Sequence, residues 1–207
     1  MRGVESTDLK SEYPKSELPE GRAGDWVLER VTVPPLSLEQ QRSDRRPEWA
    51  RSQPGDYTCL RCGHEVFMTD LVDEWHSQTI AFDLALSVGG HVLTTGLGLG
   101  MLVQAVLEPA SSPVESVTII ERSRDVIALV APHLKARYGD RVNIIQADAF
   151  SWTPPSSTHY SVIWHDIWPN PAAPQVQDDI KRLCERYRDW GDWQGAWATE
   201  FQAMAAK

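Results

Sequence analysis

Four apolar runs in this chain each lead into residues that could do chemistry. Val92-Leu93-Thr94-Thr95 runs straight into Gly96-Leu97-Gly98-Leu99-Gly100. Val117-Thr118-Ile119-Ile120 ends at Glu121, Ile144-Ile145 leads to Asp148, and Val162-Ile163-Trp164 leads to His165 and Asp166. A glycine bend followed by an apolar helical stretch, here Met101 to Leu107, puts backbone N–H groups and a helix N-terminus at the carboxyl edge of a sheet. Its glycines would let a ligand approach the backbone closely. A carboxylate ending the next strand, as Glu121 would, can take both hydroxyls of a ribose. Asp148, one strand further, could accept from an exocyclic amine such as adenine N6, with Ala149 beside it. Asp166 or His165 could remove a proton from an acceptor. These two alternate along a strand, so one of them points into the site, and Asp166 is the candidate catalytic residue.

These residues need a particular scaffold. Residues 116–120, 141–145 and 160–164 read as strands alternating with helices, the clearest helix running from Arg124 to Tyr138 between a Ser123 cap and Gly139. The expected fold is therefore α/β: a Rossmann-like parallel sheet with flanking helices, abbreviated at its C-terminus and preceded by a small β-hairpin region. Residues 1–24 are polar and read as a flexible tail. Residues 25–69 read as a small β-rich region, with a strand over 25–33, a charged helix over 36–51 and a hairpin over 57–69 turning at Gly63. Residues 70–171 form the cofactor-binding core, opening with one helix capped by Asp70 and stopped at Gly89-Gly90. Residues 172–207 read as two helices, Asp178 to Trp190 and Trp193 to Met204, with Trp190, Trp193 and Trp197 at helical spacing.

Bulk properties narrow the function classes. The 207 residues carry a net charge of -9, which argues against a nucleic-acid surface. The apolar stretches are far short of a membrane span, and the charged segment from Met1 to Glu20 does not read as a secretory signal. Three cysteines suit a reducing compartment, so a cytoplasmic location is expected, with no nucleic-acid or membrane partner. Cys59-x-x-Cys62 with His64 and His76 lacks a second cysteine pair, so a hairpin turn explains it better than zinc, and no metal is expected. His76 is better explained as a helix-surface residue than as a catalytic one.

The order Val92–Gly100, Val117–Glu121, Ile144–Ala149, Val162–Pro169 resembles class I S-adenosylmethionine-dependent methyltransferases over roughly residues 70–170. The hairpin region ahead of the sheet is similar to the spermidine-synthase branch. The resemblance implies S-adenosyl-L-methionine as cofactor, its amino-acid part on Gly96, Gly98 and Gly100, its ribose on Glu121 and its adenine on Asp148 and Ala149. It implies methyl transfer to a small molecule or peptide. The alternatives are aminopropyl transfer from decarboxylated S-adenosylmethionine, or a non-catalytic binding or assembly protein. Two departures bear on the choice: Thr94 and Thr95 stand where many methyltransferases have an acid, and Trp168 and Pro169 stand where spermidine synthases have a second aspartate. Trp168 could instead wall the pocket. An abbreviated sheet exposes an edge, which implies a helical lid or a homodimer.

Overall fold

A computed structural model of the chain describes residues 15–35, 54–197 and 199. The helix expected over 36–51 lies outside the described residues except for its surroundings at either end, and the tail expected over 1–24 lies outside them as far as residue 14. From residue 15 onward that segment is packed. Ser16 and Leu18 are buried, and Gly21–Ala23 forms strand β1. The anchor is Asp70, whose carboxylate accepts from the backbone N–H groups of Ser16 and Thr58, both at 2.6 Å. Arg30 adds bonds to the carbonyls of Ser16 and Leu18. Asp70 is therefore a buried clasp and not a helix cap, and burial raises its carboxyl above the ordinary range against the pull of those hydrogen bonds.

β1 opens a four-stranded antiparallel sheet with β2 (Trp26–Val33), β3 (Gly55–Cys62) and β4 (Glu65–Thr69), in the order β1-β2-β3-β4. The hairpin expected around Gly63 is the β3–β4 pair. The helix expected from 70 to 88 is two helices, α1 (Val72–Ser77) and α2 (Thr79–Val88), broken at Gln78. Gln78 leaves the helical path at φ -108, ψ 0, and its side chain turns inward.

The second sheet is parallel and five-stranded. It contains β5 (Gly90–Thr95), β6 (Val114–Glu121), β7 (Val142–Gln146), β8 (Tyr160–His165) and β9 (Gly191–Ala196), in the order β7-β6-β5-β8-β9. Helices α3 (Met101–Leu107), α4 (Arg124–Tyr138) and α5 (Val176–Tyr187) flank it. This is the Rossmann-like α/β architecture. The chain winds from β5 through β6 to β7 on one side and through β8 to β9 on the other. The reversal falls beside β5, the place where open α/β sheets bind ligands. The strands are almost wholly apolar where they cross the middle: Val92, Leu93, Val117, Ile119, Val162 and Ile163 have no exposed surface. Ser123 caps α4 as expected, its Oγ accepting from the Val126 N–H at 3.2 Å.

The C-terminal segment corrects the expectation of a second helix from Trp193. Residues 191–196 are strand β9, pairing in parallel with β8. The two glycines of this strand make room for neighbours: the side-chain position at Gly191 would lie 2.6 Å from Ile163, and that at Gly195 would overlap the Trp193 indole. Trp193 stacks on Trp164 at 6.3 Å and 7°. The tryptophan spacing thus serves a strand and its flanks. Among the described residues, no helix is long and apolar enough to cross a membrane.

Candidate functional site

The glycine bend sits at the carboxyl end of β5, at the switch point. Gly96, Gly98 and Gly100 all take positive φ, at 94°, 48° and 70°. Each is held against protein rather than left open for a ligand alone. A side chain at 96 would collide with the Asp166 carbonyl, one at 98 would lie 2.5 Å from the Met68 sulfur, and one at 100 would lie 2.7 Å from Leu134. The bend is therefore wedged between the β8 loop, the hairpin end and α4. Met68 closes it from the hairpin side, its Sδ accepting from the Leu99 N–H at 3.2 Å.

Glu121 reaches the bend from the end of β6. Its Oε2 accepts from Leu97 N–H at 2.9 Å and its Oε1 from Ser123 N–H at 2.6 Å. Each oxygen of an ionised carboxylate has a second lone pair, so both remain able to accept from a ligand. Asp148 follows β7, exposed, with Oδ1 accepting from Phe150 N–H at 2.9 Å. Ala149 is buried beside it, and its carbonyl accepts from the Tyr187 hydroxyl at 2.9 Å.

Asp166 stands half-buried after β8. Its N–H donates to the Thr95 carbonyl at 2.9 Å and its Oδ2 accepts from Gln78 Nε2 at 3.1 Å. Burial pushes its carboxyl up to about 7. Glu74 lies in α1, four residues before Gln78. Its carboxyl is pushed up to about 8, first by burial and then by the charges of Asp166 and Asp73. Glu74 and Gln78 carry no local signal of a site in the sequence: an acid and an amide four residues apart are too common to mark one. His165 points the other way. It is fully buried, with Nδ1 3.1 Å from Thr95 Oγ1, and burial lowers its imidazole to about 4.

Gly96, Gly98, Glu121, Asp148, Ala149 and Asp166 line one cleft of about 340 Å³. Gly100 does not line it; it caps α3 beneath the bend. Trp168 also lines the cleft, its indole N–H donating to Asp179 at 3.3 Å. Trp26, Phe67 and Met68 from the antiparallel sheet line it too, none of which the motif pattern could place. Among the described residues, no group of three or more His, Cys, Asp or Glu is placed to hold a metal ion.

No protein-family model matches the chain, and no curated protein matches it. Solved structures do. The chain is similar to a protein from Pyrococcus horikoshii described as an RNA methyltransferase, at 12% identity and TM-score 0.44, covering 58% of this chain and 54% of that one. It is similar to a protein from Staphylococcus aureus described as a caffeoyl-CoA O-methyltransferase, at 21% identity and TM-score 0.46, covering 60% and 56%. It is also similar to the mitomycin 7-O-methyltransferase, at 24% identity and TM-score 0.43, covering 58% and 34%. The chain thus spans about half the length, or less, of these structures.

Proposed function

We propose that this chain is an S-adenosylmethionine-dependent methyltransferase acting on a small molecule or peptide. The observation that carries the reading is Glu121: a carboxylate fixed by two backbone N–H groups, one from the glycine bend and one from the start of α4, with lone pairs free toward a cleft that Asp148 also lines. Such a carboxylate suits a ribose diol, and Asp148 with Ala149 suits an adenine edge. Gly96 and Gly98 would border the amino-acid end, with Gly100 fixing the turn from below. The bound sulfonium would supply an already activated methyl group, so the protein's task is to align the acceptor and accept its proton. Asp166, with its carboxyl near 7, is suited to that proton transfer close to neutral pH.

Aminopropyl transfer is the reading this one displaces, and Trp168 at the second-aspartate position weighs against it. Calorimetry with S-adenosylmethionine, its decarboxylated form and S-adenosylhomocysteine separates the two. Binding of the first and third supports methyl transfer, preference for the decarboxylated form supports aminopropyl transfer, and no binding to any defeats both. A homodimer belongs to the same proposal, because β7 and β9 both end the parallel sheet among the described residues. Light scattering that finds a monomer at micromolar concentration would remove it.

A further inference from the structure

The antiparallel sheet is docked so that two of its aromatic side chains enter the cleft. Gly21 lies against Leu129 of α4, 3.1 Å from the place a side chain would start, and Gly24 lies closer still against Asp125, at 2.5 Å. This contact fixes the β1–β2 turn over the first half of α4. Trp26, two residues past Gly24, therefore stands beside the start of that helix, where Ser123 donates to Glu121. Phe67 reaches it from β4, with ring centroids 4.5 Å apart and planes at 60°. Both rings are half-buried and both line the cleft that Glu121 and Asp148 also line. An edge-to-face pair fixes both rings: Trp26 packs in part against the core, and both rings present surface to the cleft.

We propose that Trp26 and Phe67 are ligand-binding residues: the N-terminal sheet supplies the second wall of the nucleoside subsite, and the pair packs on the adenosine part of the bound ligand opposite Glu121 and Asp148. This rests on the adenosine reading of the cleft and adds to it a residue pair from outside the parallel-sheet core. It makes the antiparallel sheet part of the binding machinery. A flat base or ribose enclosed between two walls gains contact on both faces, whereas the core alone would leave one face in water.

The test is calorimetric titration of adenosine and of S-adenosylhomocysteine into the full chain and into Trp26→Ala, Phe67→Ala and Trp26→Phe, with melting midpoints measured alongside. Each alanine variant is expected to lose about tenfold in affinity or more, in keeping with base–aromatic packing. The factor should be the same for adenosine and S-adenosylhomocysteine, because the pair touches the part they share. Trp26→Phe should keep most of the affinity. In a Trp168→Phe chain, which removes the other indole lining the cleft, ligand should also change the indole emission, and adding Trp26→Phe should remove most of that change. Alanine variants that melt and bind like the wild type would overturn the proposal. Should they fail to fold, an emission change that persists undiminished when Trp26→Phe is added would overturn it instead. A wild-type chain that binds neither ligand refutes the adenosine reading itself, a result distinct from wild-type binding that the variants retain.

Discussion

The two halves of the cleft hold their carboxylates in opposite ways. On the β6 side, Glu121 is gripped by two backbone N–H groups, one on each carboxylate oxygen. On the β8 side, Asp166 has a hydrogen bond from a side-chain amide and burial that works against its charge, with Glu74 disfavoured beside it. Backbone donors hold a carboxylate in one orientation. Desolvation makes one that takes up and releases protons near neutrality. One half of the cleft is built to bind and the other to move a proton, although both acids end strands that flank β5 in one sheet.

The sharpest way to break this contrast is Asp166→Asn, which removes the proton acceptor and keeps the shape. Turnover of the proposed methyl transfer should fall by about 10² to 10⁴. In wild type it should fall as pH drops through about 7, as Asp166 takes up its proton. The stability sign is opposite. An acid whose carboxyl is raised in the fold stabilises it at low pH and opposes it as pH rises toward and past 7. Asp166→Asn should therefore be more stable than wild type at pH 8, by up to about 3 kcal/mol, as read by denaturant unfolding.

The two halves touch at Gly96, where a side chain would meet the Asp166 carbonyl and where φ is positive. Gly96→Ala should cost about 3 kcal/mol, seen as a lowered melting midpoint, and an unchanged midpoint would mean the halves are not wedged together there. His165 extends the comparison away from the cleft. Its imidazole is lowered to about 4, so folding holds it neutral. Its contribution is complete above the ordinary histidine range and is lost as pH falls from about 6.5 toward 4, a loss of about 3 kcal/mol that His165→Asn should flatten. The smallest effect is Glu74→Gln. It should erase any inflection near 8 from the pH–rate profile and leave the one near 7, because Asp166 ionises while Glu74 is still protonated.

The parallel core was legible because buried strands and a glycine bend leave a dense local signal. Val92–Gly100, Val117–Glu121 and the Ser123 cap all stand where the pattern put them. What escaped depended on distant partners. β9 contains two glycines and no β-branched residue, and it pairs because β8 offers an edge and Ile163 and Trp193 fill the space the glycines leave. Asp70 has the sequence of a helix cap, yet Ser16 and Thr58 claim it from 54 and 12 residues away. The helix break at Gln78 and the role of Glu74 follow from where Asp166 sits across 88 residues of chain, beyond the reach of any local pattern. The glycine spacing predicts room for a ligand at Gly96 and Gly98, and each also makes room for a protein neighbour.

The most direct test sets the two acids side by side: affinity for S-adenosylhomocysteine in wild type, Glu121→Ala and Asp166→Asn, by calorimetry. Binding by wild type, a loss of about tenfold to a hundredfold in Glu121→Ala, and a change within about twofold in Asp166→Asn are the predicted results. Equal affinities in all three proteins, or a greater loss in Asp166→Asn than in Glu121→Ala, would contradict the division of the cleft into a binding half and a proton-transfer half.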